Sequence, residues 1–252
     1  MVAPPGAGMF SPMPDVGPSP LRGIRKAAAR AAARGPREAL SAFAARIKGG
    51  IHSQGVLIFL VRDLGGTVAP PVPEGMAVRR ATAADDRSYA RDIGTDSPTT
   101  FRRRLSASTG CWLLLERDRI LHATWTTTGA AWAGEIRRFF RPPDGDIYIY
   151  ESFTRPEARG RGAYPLILGH VCGDAAAAGL TRAWIGVEKH NEPSMRAITK
   201  AGFRPALEIE FGRRWGRLRV GQPHGPRADD CRDCFVHHSS RPGAGAIQRG
   251  KP

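Results

Sequence analysis

Isoleucine and tyrosine alternate along Asp146-Ile-Tyr-Ile-Tyr-Glu-Ser-Phe153, a period-two pattern that predicts a strand. Beyond it, Pro165 to Gly179 carries apolar residues at helical spacing, so strand gives way to helix across a short glycine-rich turn. The same reading applied to the rest of the chain predicts a strand or hairpin arm over Ile51 to Leu64, whose longest apolar run, Val56 to Val61, is strand-sized. Met76 to Thr82 is a short alternating strand, and Thr82-Ala-Ala-Asp85 supplies a helix start with acids in its first turn, for a helix to about Ile93. A second helix carries Phe101, Arg102, Arg103, Arg104 and Leu105. Cys111 to Glu116 and Ile120 to Thr128 form an antiparallel pair around Arg117-Asp118-Arg119. Trp132 to Pro143 reads as a loop. After the glycine-rich helix come a strand over Arg182 to Glu188, a helix over Glu192 to Ala201, and strands over Phe203 to Phe211 and Arg217 to Val220. The alternation of elements predicts a three-layer α/β fold with a central mixed sheet flanked by helices.

The flanks have a different texture. Residues 1 to 20 are dense in Pro and Gly and poor in large apolar groups, which predicts a disordered N-terminus. Arg22 to Arg34 is Ala-rich with a basic stripe, and Leu40, Phe43 and Ile47 fall at helical spacing, so 21–74 is expected to be a basic helical extension with one strand and a Pro-rich linker over Val68 to Pro73. The principal domain is expected to span 75–221, followed by a flexible basic tail over 222–252.

Charge sharpens this division. Of a net +15, residues 1–63 contribute nine Lys/Arg against three Asp/Glu and residues 213–252 nine against three, leaving 20 against 17 between them. Attraction to nucleic acid or an anionic membrane therefore belongs to the flanks rather than to the central domain. Cys111 and Cys172 fall in apolar patterns as small buried thiols, and with no signal-peptide pattern ahead of them a reducing cytoplasm is expected. Cys231, Cys234, His237 and His238 are crowded into eight residues, whereas zinc sites draw paired ligands from separated segments, so no metal is expected there.

The turn Arg159-Gly-Arg-Gly-Ala163 is suited to phosphate: glycines let the backbone approach an anion, arginines supply forked donors, and the helix start adds N–H groups and a positive dipole end. Thirty-two residues on, Asn191 opens a second helix with Pro193 in its first turn and Gly202 at its end. These two segments together resemble the coenzyme-binding segments of the GCN5-related N-acetyltransferase (GNAT) superfamily. In its loop pattern Arg159 stands first and Gly162 fourth, while Tyr164 departs from the preferred sixth residue. The resemblance covers about Met76 to Phe211. It implies acetyl-CoA as co-substrate, with Arg159, Gly160, Arg161, Gly162 and Ala163 at the pyrophosphate and Asn191 near the pantetheine. It also implies a splayed central strand offering the N–H groups of Phe153 and Thr154 to a carbonyl oxygen, and direct transfer of acetyl to a primary amine such as a small metabolite or amino sugar.

For the acid–base work, Glu151 is the first choice of base, on the strand face of Phe153, with Glu188 and His190 as runners-up. The tyrosine that many relatives use as acid is replaced by Ile198, leaving Tyr164 as a substitute acid or, in preference, a ring packed beside the coenzyme. A different class of function, a non-catalytic acyl-CoA-binding module docked through basic flanks on an anionic partner, competes with the enzyme reading, and homodimer formation is left open.

Overall fold

The structure, a computed structural model, describes residues 52–215 and 217–236. The stretches expected to be the disordered N-terminus and the basic helices before Ile51 lie outside them, as do His237, His238 and the chain beyond. Eleven strands and four α-helices are described: β1 (His52–Asp63), β2 (Met76–Arg80), α1 (Asp86–Asp92), α2 (Pro98–Arg104), β3 (Thr109–Glu116), β4 (Arg119–Thr127), β5 (Ala131–Ala133), β6 (Arg138–Phe140), β7 (Asp146–Thr154), α3 (Ala163–Ala177), β8 (Arg182–Glu188), α4 (Glu192–Lys200), β9 (Arg204–Arg214), β10 (Arg217–Val220) and β11 (Phe235–Val236).

Eight strands form one mixed sheet in the order β10-β9-β1-β8-β7-β4-β3-β2, with β7 and β8 its one parallel pair. One face is covered by α3 and α4, which bury Ile167, Leu168, Val171 and Ile198 against Leu60, Ile149 and Ile185. The other face is covered twice. The helices α1 and α2 pack Tyr89 and Phe101 on Leu113 and Trp125, and a small three-stranded sheet, β11-β6-β5, packs Phe140 on Phe59, Tyr148 and Trp184. The three layers follow from the alternation in the strands: Ile147 and Ile149 go to one face of β7, Tyr148 and Tyr150 to the other.

Local signals mark the starts of the first two helical segments. Thr82 and Asp85 form a reciprocal capping box, in which the Thr82 N–H donates to the Asp85 carboxylate at 2.8 Å. Ser97 caps α2 by accepting from the Thr100 N–H at 3.2 Å, with Pro98 at the first helical position.

Four expectations need correction. First, a domain beginning at Gly75 would omit a strand from its own sheet: β1 lies between β8 and β9, pairing Leu57–Asp63 with Arg182–Glu188 and His52–Val61 with Arg204–Arg214. Its two neighbours are successive strands of the sequence, and only the tertiary fold inserts β1 between them. Second, the expected linker is a packed strap on α3. Gly169 and Gly173, one turn apart, leave room for it, since a Cβ at Gly169 would stand 2.8 Å from Pro70 Cδ and one at Gly173 2.6 Å from the Ala69 nitrogen. Third, the tail does not become irregular at residue 222. A short 3-10 turn at Asp229–Cys231 and strand β11 seal the small sheet, burying Cys231 and Cys234 against its aromatic cluster. Fourth, the expected loop over Trp132 to Pro143 supplies the other two strands, β5 and β6. Strands of two or three residues carry too little periodicity to be legible.

Candidate active site

The sheet opens at one place. β7 and β8 pair over Asp146–Ile149 and Arg182–Ile185, then diverge, β7 following β4 to Thr154 and β8 following β1 to Glu188. A bulge in β7 accompanies the divergence: Tyr150 faces Trp125 and Phe153 faces Ala123, so two residues, Glu151 and Ser152, stand against Thr124 alone. Glu151 takes φ 51°, the left-handed region. Such a bulge bends the strand and re-aims its side chains.

The bulge also sorts the backbone N–H groups. That of Arg155 donates to the Leu121 carbonyl at 2.9 Å. Because hydrogen-bonded pairs alternate along an antiparallel ladder, the Phe153 N–H is likewise directed to β4, while that of Thr154 points into the opening toward β8. Of the two groups expected to face an acyl carbonyl, the geometry offers Thr154.

At the mouth of the opening stand two helix N-termini, those of α3 and α4. Gly160 and Gly162 both take φ 74°, Gly162 as the N-cap of α3 without a side-chain cap, and a Cβ built at either would meet nothing within 4 Å. The first N–H groups of α3, at Ala163 and Tyr164, therefore lie beside open space, where the helix dipole favours an anion. Arg159 is exposed and makes no ion pair among the described residues. Arg161 is engaged, holding Glu116 at 2.5 Å and keeping that carboxyl below its usual range. Across the opening Asn191 caps α4, its side-chain oxygen accepting from the Ser194 N–H at 3.4 Å. Ile198, in the place of the absent tyrosine, is buried in the core.

On the face bearing α1 and α2, Glu151 is held by Arg104 at 3.0 Å. Arg104 is 3% exposed, also pairs with Asp96, and lies 3.6 Å above the Trp125 ring. Burial opposes its charge, but Glu151 and the other groups around it outweigh burial and raise the guanidinium pKa. The stacked rings of Tyr148 and Tyr150, 5.5 Å apart, continue this wall. Glu188 and His190, the runners-up, pair with each other at 3.1 Å beside α4.

On the opposite face Tyr164 stacks on His122, ring centres 5.1 Å apart, and burial lifts its phenol to about 12 despite a hydrogen bond to Ser152. Ser152 in turn bonds Thr124 at 2.5 Å, and His122 Nδ1 lies 2.7 Å from the Thr154 hydroxyl. Burial alone drives His122 down to about 3, so its ring is neutral, and its Nε2 has no hydrogen-bond partner. Sequence reasoning missed Arg104, Asp96, His122 and Ser152 as parts of the site. A run of three arginines does not say which one is buried, and no local signal marks a bulge.

Among the described residues no group of three or more His, Cys, Asp or Glu stands where it could hold a metal, and no helix is long and apolar enough to cross a membrane.

A mixed sheet parted between its two parallel strands, with the uncapped start of α3 and the Asn191-capped start of α4 at the mouth, defines an α/β protein open at one place. Residues 85–203 match the model of the Acetyltransferase (GNAT) family, so the chain carries a domain of that family over this stretch. Solved structures similar to it include GCN5-related N-acetyltransferases from Sphaerobacter thermophilus (17% identity over 70% of this chain and 57% of that one, TM-score 0.48) and Kribbella flavida (18%, 68% and 63%, TM-score 0.47). The ribosomal-protein-S18-alanine N-acetyltransferase of Escherichia coli is another (12%, 53% and 80%, TM-score 0.41). The chain spans 56% to 65% of the length of the first four solved structures it matches. No curated protein matches it.

Proposed function

We propose that the protein transfers an acetyl group from acetyl-CoA directly to the primary amine of a small metabolite or amino sugar. The observation that carries this reading is the bulge at Glu151–Ser152 where β7 leaves β8, directly below the glycine-flanked start of α3. The residues present fit the coenzyme: exposed Arg159, two left-handed glycines with open space above them, and the first N–H groups of α3 would hold its pyrophosphate. Asn191 would meet the pantetheine arm. When bound, the coenzyme supplies an acyl group activated as a thioester.

The chain's own residues do the rest. The Thr154 N–H, pointing into the opening, donates to the oxygen on which negative charge develops. Glu151, oriented by Arg104, draws in the acceptor ammonium on the side of Tyr148 and Tyr150 and accepts its proton. Tyr164, stacked on His122 with its hydroxyl bonded to Ser152, packs the floor beside the coenzyme. A thiol titrates near 8.5, so coenzyme A leaves at modest cost near neutral pH without a dedicated acid.

Calorimetric titration of acetyl-CoA tests the anchor. Gly162→Glu places a side chain and a like charge where the pyrophosphate belongs, and affinity should fall tenfold or more, equivalent to about 1.4 kcal/mol. Unchanged affinity in a folded variant removes the loop from the site. Thiol release with a panel of amines then identifies the acceptor.

A further inference from the structure

We propose that the β9–β10 hairpin is a docking surface for single-stranded nucleic acid, with Arg214, Arg217 and Arg219 holding phosphates and Trp215 stacking on a base. Arg217 lies opposite Arg214 and Arg219 opposite Gly212. Residues two apart on a strand share a face, so all three arginines line one face of the hairpin. Like charges directly opposite one another destabilise a sheet. None of the three makes an ion pair among the described residues, whereas Arg79, Arg80, Arg155 and Arg182 each do. Of the hairpin's two acids, Glu208 is held by Lys189, and Glu210 is ion-paired to none of the three arginines.

The turn points the same way. Trp215 is 75% exposed and takes φ 52°, a conformation suited to Gly or Asn and costly for a bulky side chain. Trp215 thus offers most of its ring to solvent at the tip of the hairpin, where a flat partner can reach it. Arginine forks match phosphate oxygens, and an aromatic ring accepts any base face. A bilayer rewards buried apolar area instead, and Trp215 and Val68 are the large apolar residues exposed among the described residues, Val68 in the strap on α3.

In sequence, the most basic stretch of the chain leads into this surface. β1 begins at His52, opposite Arg214, and residues 22–51 leading to it carry eight Lys/Arg against one acid. It also stands at the end of the sheet where the opening lies. Glu188, the last residue of β8, faces Leu57 and Leu57 faces Ile209, so Arg214 lies five residues, about 17 Å, past the end of β8. This surface is independent of acetyl transfer, and its test does not involve turnover.

The test is fluorescence anisotropy of the full chain with labelled single strands of about a dozen nucleotides, RNA and DNA in separate arms, over about 50 to 200 mM salt. Three phosphate contacts predict a slope of log affinity against log salt contributed by the hairpin of about −2, and Arg217→Gln with Arg219→Gln should reduce the measured slope by about 1.4. Arg87→Gln with Arg103→Gln, which removes equal charge from an exposed surface elsewhere, should leave it unchanged. Trp215→Ala should weaken binding at least fivefold with the slope intact. Equal loss in both double variants, or no loss in the hairpin variant, overturns the proposal. So does preferential binding of vesicles rich in phosphatidylserine, or displacement of the strand by coenzyme A, which would assign the arginines to the coenzyme.

Discussion

Glu151 occupies the left-handed region because the bulge places two residues of β7 against one of β4, and Arg104 then fixes where its carboxylate points. Glu151→Gln keeps an acceptor oxygen for Arg104 and removes the proton acceptor. Turnover at neutral pH should fall by about 10² to 10⁴, with a smaller loss at high pH where the free amine predominates. A full rate with an unaltered pH profile would move the base to Glu188. His122 makes a separate prediction about stability. Its folded pKa is depressed to about 3 by burial, below the 6.5 of the free side chain, so the unfolded chain binds the proton more readily. Its contribution is therefore complete above about pH 6.5 and is lost as pH falls from there toward 3, at no more than about 1.4 kcal/mol per pH unit. Urea unfolding at pH 7 and pH 5.5 should show this loss in the parent chain and not in His122→Gln. Equal pH dependence in the two would mean that another group is responsible.

At the scale of elements, α3 carries the proposed coenzyme loop at its start and the strap of residues 67–70 along its length. Gly173 costs the helix intrinsic stability, and Gly173→Ala would recover about 1 kcal/mol in an isolated helix. Here the new Cβ would stand 2.6 Å from the Ala69 backbone nitrogen, which cannot swing aside as a side chain can. Overpacking of this kind costs typically about 1–3 kcal/mol. The substitution should therefore lower the urea midpoint despite the better helix former, and a rise would show that the strap is held loosely. A Pro-rich composition marks a segment that forms neither helix nor strand, but it does not say whether that segment crosses solvent or lies on a helix. The glycine pair in α3 that receives it is legible only once the two are seen together.

For the whole molecule the decisive element is β1. It holds β8 on one side and β9 on the other, so its removal leaves two inner strands with unpaired edges and uncovers Ile58 and Leu60 contacts on one face and Leu57 and Phe59 contacts on the other. A fragment of residues 75–221, the domain that composition outlines, should show no cooperative unfolding transition. A fragment of residues 52–236 should unfold in one. Cooperative unfolding of the shorter fragment would show that β1 is accessory.

What the sequence determined by itself was local. The alternation of Ile and Tyr in β7, the capping box ahead of α1 and the cap of α2, the glycines around Arg161 and the Asn191 start of α4 each depend on residues within a turn or two, and each element formed where its pattern lay. The motif pair was legible for the same reason, since each of its two segments is contiguous. Tertiary structure alone decided the rest: that β1 enters between β8 and β9, that the last described residues close a second sheet over Phe140, that Arg104 rather than its neighbours is buried against Glu151, and that Thr154 rather than Phe153 turns its N–H to the opening. Each is a relation between segments tens of residues apart. Such relations are set by which faces can be buried together and which strand edges can be paired, and those conditions exist only in the folded chain.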